Sequence, residues 1–123
     1  MSVRGIRGAI TVEANDSQQI LDASVTLLNA IVEVNGIQPE DIAGIMITVT
    51  QDLDAAFPAK SIRQLEGWEF VPLMCSLEIA VEGSLERCIR FMVLANTELA
   101  QADMRHVYLG EAVKLRPDLS AAR

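Results

Sequence analysis

The spacing of apolar residues predicts one long amphipathic helix in the first third of the chain. After Asp16, apolar positions recur every three or four residues, as expected when one helical face packs against a core. Asp16 and Gln19 have the spacing of a capping box, and Gly36 stands where a helix commonly ends in a left-handed residue. One apolar row of this helix consists of Leu21, Val25, Leu28 and Val32, and it is widened by Ile20, Leu27, Ile31 and Val34.

Apolar and β-branched runs elsewhere predict a sheet. Strands are predicted at residues 4–12, 45–50, 68–74 and 87–95, with a short helix at 58–65 and an extended piece at 105–109. Pro72 places the third strand at an edge or an irregular position. The order βαβαββ predicts a single α/β (α+β) domain over residues 1–123, with a mixed sheet covered by one long helix. One helix cannot cover both faces, so we expect the other face to pack against another copy of the chain.

The segment at 87–95 contains an arginine inside an apolar run. From Phe91 onward both sets of alternating residues are apolar, which predicts a central strand with both faces buried. A guanidinium in such a strand must be paired or must meet an anion, because an unpaired buried charge is strongly unfavourable. The central question of the sequence is therefore what Arg90 faces.

Composition narrows the range of functions. The net charge of −7 argues against a nucleic-acid partner. No apolar run approaches the roughly 20 residues of a membrane helix, and no signal peptide is recognisable, so we expect no membrane partner and a cytoplasmic location. No phosphate loop, dinucleotide fingerprint or metal cluster is recognisable in the sequence. Asp52 and Asp54 lack further oxygen ligands at metal-loop spacing and favour a solvated loop.

Basic residues lie in or beside the apolar segments. Arg7 is followed by Gly8, which leaves room beside it, and this favours anion contact over a solvated strand end. Lys60 and Arg63 share one face of the predicted short helix, either as an exposed basic face or as a lid over an anionic ligand. Arginine is well suited to binding carboxylates, so the set indicates a site for a small dianion.

A second chemistry is possible on residue types alone. Cys75 could act as a nucleophile with His106 as its base and Glu78 as the orienting group. A lone cysteine is more often a small buried hydrophobe, and no local signature supports a triad. Fixed arginines suit a different chemistry, in which preorganised electrostatics stabilises shifting charge without proton transfer.

Six motifs in order make the family recognisable. They are RGIRGA at 4–9, FPAK at 57–60, Cys75 with Glu78, CIR at 88–90, RHVYL at 105–109 and LRPDL at 115–119. With these motifs, the chain resembles the small, monofunctional, trimeric α/β (Bacillus-type) class of chorismate mutase from about residue 3 to residue 120.

The resemblance implies a homotrimeric pseudo-α/β barrel with its active sites at the subunit interfaces. It implies an isomerase that converts chorismate to prephenate by a [3,3]-sigmatropic rearrangement, in phenylalanine and tyrosine biosynthesis, without cofactor or metal. The alternatives are a non-catalytic trimer of similar fold that binds a small carboxylate, and the cysteine-dependent enzyme.

The resemblance also implies roles for individual residues. It places Arg90 on the ether oxygen of the breaking bond, Arg7 and Tyr108 on the side-chain carboxylate, and Glu78 and Cys75 on the ring hydroxyl. Eight further substrate-binding residues are implied: Phe57, Ala59, Lys60 and Arg63 from the neighbouring subunit, Leu73 and Met74 in the pocket lining, and Leu115 and Arg116 in the closing tail.

Overall fold

The computed structural model describes residues 1–115, which form one five-stranded mixed sheet with a long helix on one face. The sheet order is β3-β2-β4-β1-β5. The predicted order of elements and the mixed sheet are confirmed, and the extended piece at 105–109 contributes a fifth strand. The elements are β1 (Ser2–Thr11), α1 (Ser17–Asn35), β2 (Ile42–Val49), α2 (Ala59–Arg63), β3 (Leu73–Leu77), β4 (Cys88–Thr97) and β5 (Val107–Leu109), with 3₁₀ turns at Pro39–Asp41, Gln101–Asp103 and Gly110–Lys114.

Helix α1 begins and ends with the predicted caps. The carboxylate of Asp16 accepts a hydrogen bond from the Gln19 amide at 3.0 Å, and Gly36 ends the helix in the left-handed region with φ 61°. The helix lies very close to β1, because a Cβ added to Gly8 would come within 2.5 Å of a methyl carbon of Ile31. Gly8 therefore makes room for the helix. Within residues 1–115 no helix is both long and apolar enough to span a bilayer.

Strand β4 is the central strand of the sheet, as predicted. Its alternate residues Ile89, Phe91 and Val93 are buried on the face that α1 covers. On the other face, Arg90 and Met92 remain partly exposed in the single chain. The predicted burial of both faces is therefore wrong for one chain alone, because α1 covers only one side.

The face of the sheet opposite α1, which we call the open face, is largely apolar at its centre. Met46 on β2 is 53% exposed and Met74 on β3 is 69% exposed, and they lie directly opposite each other in the parallel pairing. Met92 on β4 is the partner of Met46 on the other side. A contiguous apolar patch of this kind commonly marks a contact with another protein surface.

The predicted bounds of β3 are wrong. Residues 68–72 form turns, and the strand runs from Leu73 to Leu77 at the edge of the sheet. Trp68 is only 7% exposed, because its side chain packs into the core instead of alternating along a strand. Pro72 lies just before the strand, where its carbonyl accepts a hydrogen bond from the Ile45 amide at 2.9 Å. Its predicted place at an edge is confirmed.

Candidate active site

Strand register brings four polar or small residues into one row across the open face. Arg90 on β4 lies opposite Ala9 on β1, and Ala9 lies opposite Tyr108 on β5. On its other side, Arg90 lies opposite Thr48 on β2. Because facing residues in adjacent strands project to the same side of a sheet, these side chains share one surface. Arg7, two residues before Ala9, projects to the same side.

This row forms part of a cavity of about 440 Å³ on the open face. Such a volume lies within the range of sites for small molecules. Four of the residues predicted for the site line it: Arg7, Arg90, Tyr108 and Leu115.

Glu78 approaches the cavity from the end of β3. Its Oε2 atom lies 3.6 Å from Nε of Arg90, within ion-pair distance. The hydroxyl of Thr48 donates a hydrogen bond to the same carboxylate oxygen. Thus the guanidinium that lines the cavity has a carboxylate held beside it, and the side chain of Glu78 is only 22% exposed.

Two polar atoms at this site are buried without a hydrogen-bond partner among residues 1–115: Nε of Arg90 and the hydroxyl of Tyr108. The side chain of Arg90 is nevertheless 42% exposed, so its exposed part lies beyond Nε. Buried polar groups in folded proteins are nearly always paired, and an unpaired group indicates a missing partner such as a ligand or water. Both atoms are donors, which suits an anionic ligand.

Below Arg90 lies a small apolar cluster that contains Ala9, Cys88, Tyr108 and Ala112. Burial raises the pKa of the Cys88 thiol, and the nearby Arg90 guanidinium only partly opposes this shift. Cys88 is therefore a neutral thiol at neutral pH. Arg90 therefore has uncharged neighbours in the sheet, because Ala9 is its partner on β1 and Cys88 lies two residues before it on β4.

A second group of predicted residues lies around the other side of the sheet. Phe57, Lys60 and Cys75 line a separate cavity of about 550 Å³. Cys75 is the register partner of Ile47, which is fully buried on the α1 face, so the thiol points away from the open face. Within one chain, Cys75 and Arg90 therefore lie on opposite faces of the sheet.

The remaining predicted residues are divided in the same way. Ala59 is buried in α2, and Arg63 is exposed near the end of that helix. Leu73 packs against the core, whereas Met74 lies on the open face. Arg116 lies outside the described residues.

The structure separates the members of the alternative triad. His106 precedes β5, where its Nδ1 accepts a hydrogen bond from the Arg7 amide at 2.9 Å. Cys75 lies on β3 at the opposite edge of the sheet. Four strand spacings of roughly 4.8 Å place them about 19 Å apart, beyond the reach of proton transfer. The triad interpretation is wrong for a single chain.

Thr48 is a site residue that sequence reasoning missed. The sequence predicts a strand at 45–50, but it does not show which side chains of that strand share a face with Arg90. The alternation of the strand indicates its orientation, because Thr48 lies between the buried residues Ile47 and Val49 and projects to the opposite face. Only the pairing of β2 with β4 shows that this face is also the face of Arg90.

Comparison with known proteins decides the family. The model of the family described as chorismate mutase type I matches residues 3–119. The chain belongs to the type I chorismate mutase family.

Individual chorismate mutases are similar over nearly their whole length. A curated protein named chorismate mutase AroH from Bacillus subtilis (strain 168) is 46% identical over 123 residues, which cover all of this chain and 97% of that protein. Chorismate mutase AroH from Thermus thermophilus is 52% identical over 122 residues, covering 98% and 99%. The solved chorismate mutase from Clostridium thermocellum superposes with a TM-score of 0.85 at 48% identity, covering 88% of this chain and 96% of that one.

Proposed function

We propose that this chorismate mutase converts chorismate to prephenate in the open-face cavity, with Arg90 as the principal catalytic residue. The observation that carries the proposal is the buried Nε of Arg90, which has no hydrogen-bond partner among residues 1–115, in a cavity that Arg7 and Tyr108 also line. Full-length similarity to proteins named chorismate mutase supports the reaction. The reaction is a step towards phenylalanine and tyrosine.

The chemistry of the rearrangement fits these groups. Chorismate carries two carboxylates, and Arg7 and Tyr108 provide donors for one of them. As the carbon–oxygen bond breaks, negative charge develops on the ether oxygen. A guanidinium already fixed at that oxygen stabilises the transition state more than the ground state. Glu78 accepts a hydrogen bond from the ring hydroxyl and faces the positive charge that develops on the ring.

The division of the predicted site residues between two faces of the sheet supports a homotrimer. Phe57, Lys60 and Cys75 are separated from Arg90 by the sheet of their own chain. The apolar open face around Met46 and Met74 provides a contact surface beside the cavity. We infer that a neighbouring subunit covers this face and brings its own copies of Phe57, Ala59, Lys60 and Arg63 to the cavity. Free thiols at Cys75 and Cys88 are consistent with a cytoplasmic setting.

The proposal is tested by following the ultraviolet absorbance of chorismate with purified protein in EDTA. Arg90→Ala should lower kcat by a hundredfold or more, or about 3 kcal/mol, by analogy with the loss of one oxyanion donor. Arg105→Ala is the matched control, because Arg105 is an exposed arginine outside the cavity. Prephenate formation that depends on Arg90 but not Arg105 is the expected result. A folded wild-type protein that binds dicarboxylates without turnover would instead support the carboxylate-binding alternative.

A further inference from the structure

Arg87, three residues before Arg90, has a strained backbone. It is the one residue other than glycine with positive φ (48°) in the described part of the chain. In that left-handed region the Cβ of an L-residue crowds the backbone, so residues other than glycine, asparagine and aspartate rarely occur there. Strain of this kind persists only where surrounding contacts hold it, and it is concentrated at functional sites.

The contact that holds Arg87 comes from Asp52. Both of its carboxylate oxygens accept a hydrogen bond from the Arg87 amide, Oδ2 at 2.9 Å and Oδ1 at 3.2 Å. Asp52 is exposed in a turn, as predicted for a solvated loop, and its carboxylate also makes this specific contact. The contact ties the loop after β2 to the residue that precedes β4.

Thr50 extends the contact to the next residue. Its hydroxyl donates to Asp52 and accepts the Cys88 amide at 3.0 Å. Its own amide donates to the Cys88 carbonyl at 3.1 Å. On the other side, the Val12 amide donates to the Arg87 carbonyl at 3.0 Å. The start of β4 is thus fixed from the ends of both β2 and β1.

This arrangement determines where Arg90 points. Cys88 and Arg90 are separated by one strand repeat and project to the same face. A change in the rotation of the chain at Arg87 would be carried into β4 and would turn the guanidinium away from the cavity. The side chain of Asp52 does not line that cavity, so the backbone contacts at Arg87 and Cys88 provide its route to the orientation of Arg90.

We propose that Asp52 is a positioning residue for the rearrangement, which holds the left-handed turn at Arg87 and thereby directs Arg90 into the open-face cavity. The proposal rests on the proposed function of the site. It assigns no contact between Asp52 and the substrate. Its consequence is that kcat should depend on the conformation of residue 87.

The decisive test is rescue by glycine. Asp52→Ala should lower kcat at least tenfold while KM changes less than threefold, because Arg90 acts mainly in the transition state. Glycine adopts positive φ without strain, so adding Arg87→Gly to Asp52→Ala should restore kcat to within threefold of Arg87→Gly alone. The matched control is Asp41→Ala, because Asp41 also accepts a backbone amide, that of Gln38, but at the far end of β2.

The outcomes separate this role from the proposed function. An active wild type in which Asp52→Ala turns over like Asp41→Ala would overturn the positioning role alone. A loss of kcat that Arg87→Gly fails to restore, or a lower melting temperature with unchanged kcat, would also overturn it. An inactive wild type would overturn the proposed function together with this role. If Asp52→Ala does not fold, Asp52→Asn, which keeps one acceptor oxygen, replaces it in the same comparison.

Discussion

Nε of Arg90 lies 3.6 Å from Oε2 of Glu78, and the hydroxyl of Thr48 donates to that same oxygen. The carboxylate therefore faces the arginine with its orientation already fixed. The separation is longer than a hydrogen bond, so Nε keeps its capacity to donate to a ligand. The pair offsets the cost of a charged group at the sheet surface without occupying the donor that the reaction needs.

Glu78→Gln should lower kcat by about tenfold or more, equivalent to about 1.4 kcal/mol. The amide can still accept a hydrogen bond from Thr48, but it carries no charge to face Arg90 or the developing charge on the ring. Glu98→Gln is the control, because Glu98 is exposed and its carboxylate lies 3.6 Å from the N-terminal amine, away from Arg90. Steady-state kinetics of the two variants provides the measurement. Equal activity would show that the charge of Glu78 has no role in the reaction.

Tyr108→Phe should stabilise the ligand-free protein while it weakens substrate binding. The Tyr108 hydroxyl is buried without a hydrogen-bond partner among the described residues, so its removal eliminates a desolvation penalty of about 1 kcal/mol or more. The same change removes a donor to the substrate carboxylate, so KM should rise several-fold. Denaturant unfolding and steady-state kinetics test the two effects. Lower stability in the variant would mean that the hydroxyl has a partner in the folded protein.

Arg90→Ala and Lys60→Ala should complement each other in mixed assemblies. If the open-face cavity is completed by a neighbouring subunit, one site in a mixed trimer can combine an intact Arg90 with an intact Lys60. Refolding the two variants together should therefore restore part of the activity that neither has alone. The control is the same mixture combined after separate refolding. No recovery in co-refolded mixed trimers would place all of these groups within one chain.

If a neighbouring subunit brings its own Cys75 to the cavity, Cys75→Ser should retain activity within about tenfold, because the serine hydroxyl can still hydrogen-bond to a substrate hydroxyl. The proposed reaction forms no covalent intermediate, so the rate should also vary little across neutral pH. A pH–rate profile of both proteins provides the check. Abolished activity in the serine variant would contradict the assigned role of Cys75 and would favour thiol chemistry.

Cys88 should make stability sensitive to alkaline pH. Its folded-state pKa is raised by burial, so the folded thiol keeps its proton at a pH where the unfolded thiol, with a pKa of about 8.5, ionises. This contribution is fully present below that value and is lost as pH rises through the folded pKa. The stability of the wild type should therefore decline relative to Cys88→Ala above about pH 8.5, measured by denaturant unfolding at equal protein concentration. A constant difference across that range would show that the thiol is not shifted.

The sequence predicted the features that depend on local pattern. Residue types and periodicity predicted the caps of α1 at Asp16 and Gly36 and the central place of β4. The bounds of β3 were not, because Trp68 and Val71 have the composition of a strand but are drawn into the core through turns. Tertiary packing overrode β-propensity there.

The sequence predicted which residues belong to the site better than it predicted how they are arranged. The motifs identified Arg90 and Cys75 but could not show that the sheet separates them, because facing depends on register with other strands. The partnership of Asp52 with Arg87 was also hidden, since it joins residues 35 positions apart. Residue type alone indicates that a carboxylate needs a donor, but not which backbone amide will provide it.

The placement of Arg90 and Cys75 on opposite faces has a consequence for how the protein behaves on dilution. A chain that needs its neighbour to complete the cavity can remain folded after dissociation and yet lose its rate. Specific activity would then fall as the protein is diluted below the dissociation constant of the assembly, and a substrate bound across the contact would oppose that fall. Turnover would report association as sensitively as a sizing measurement.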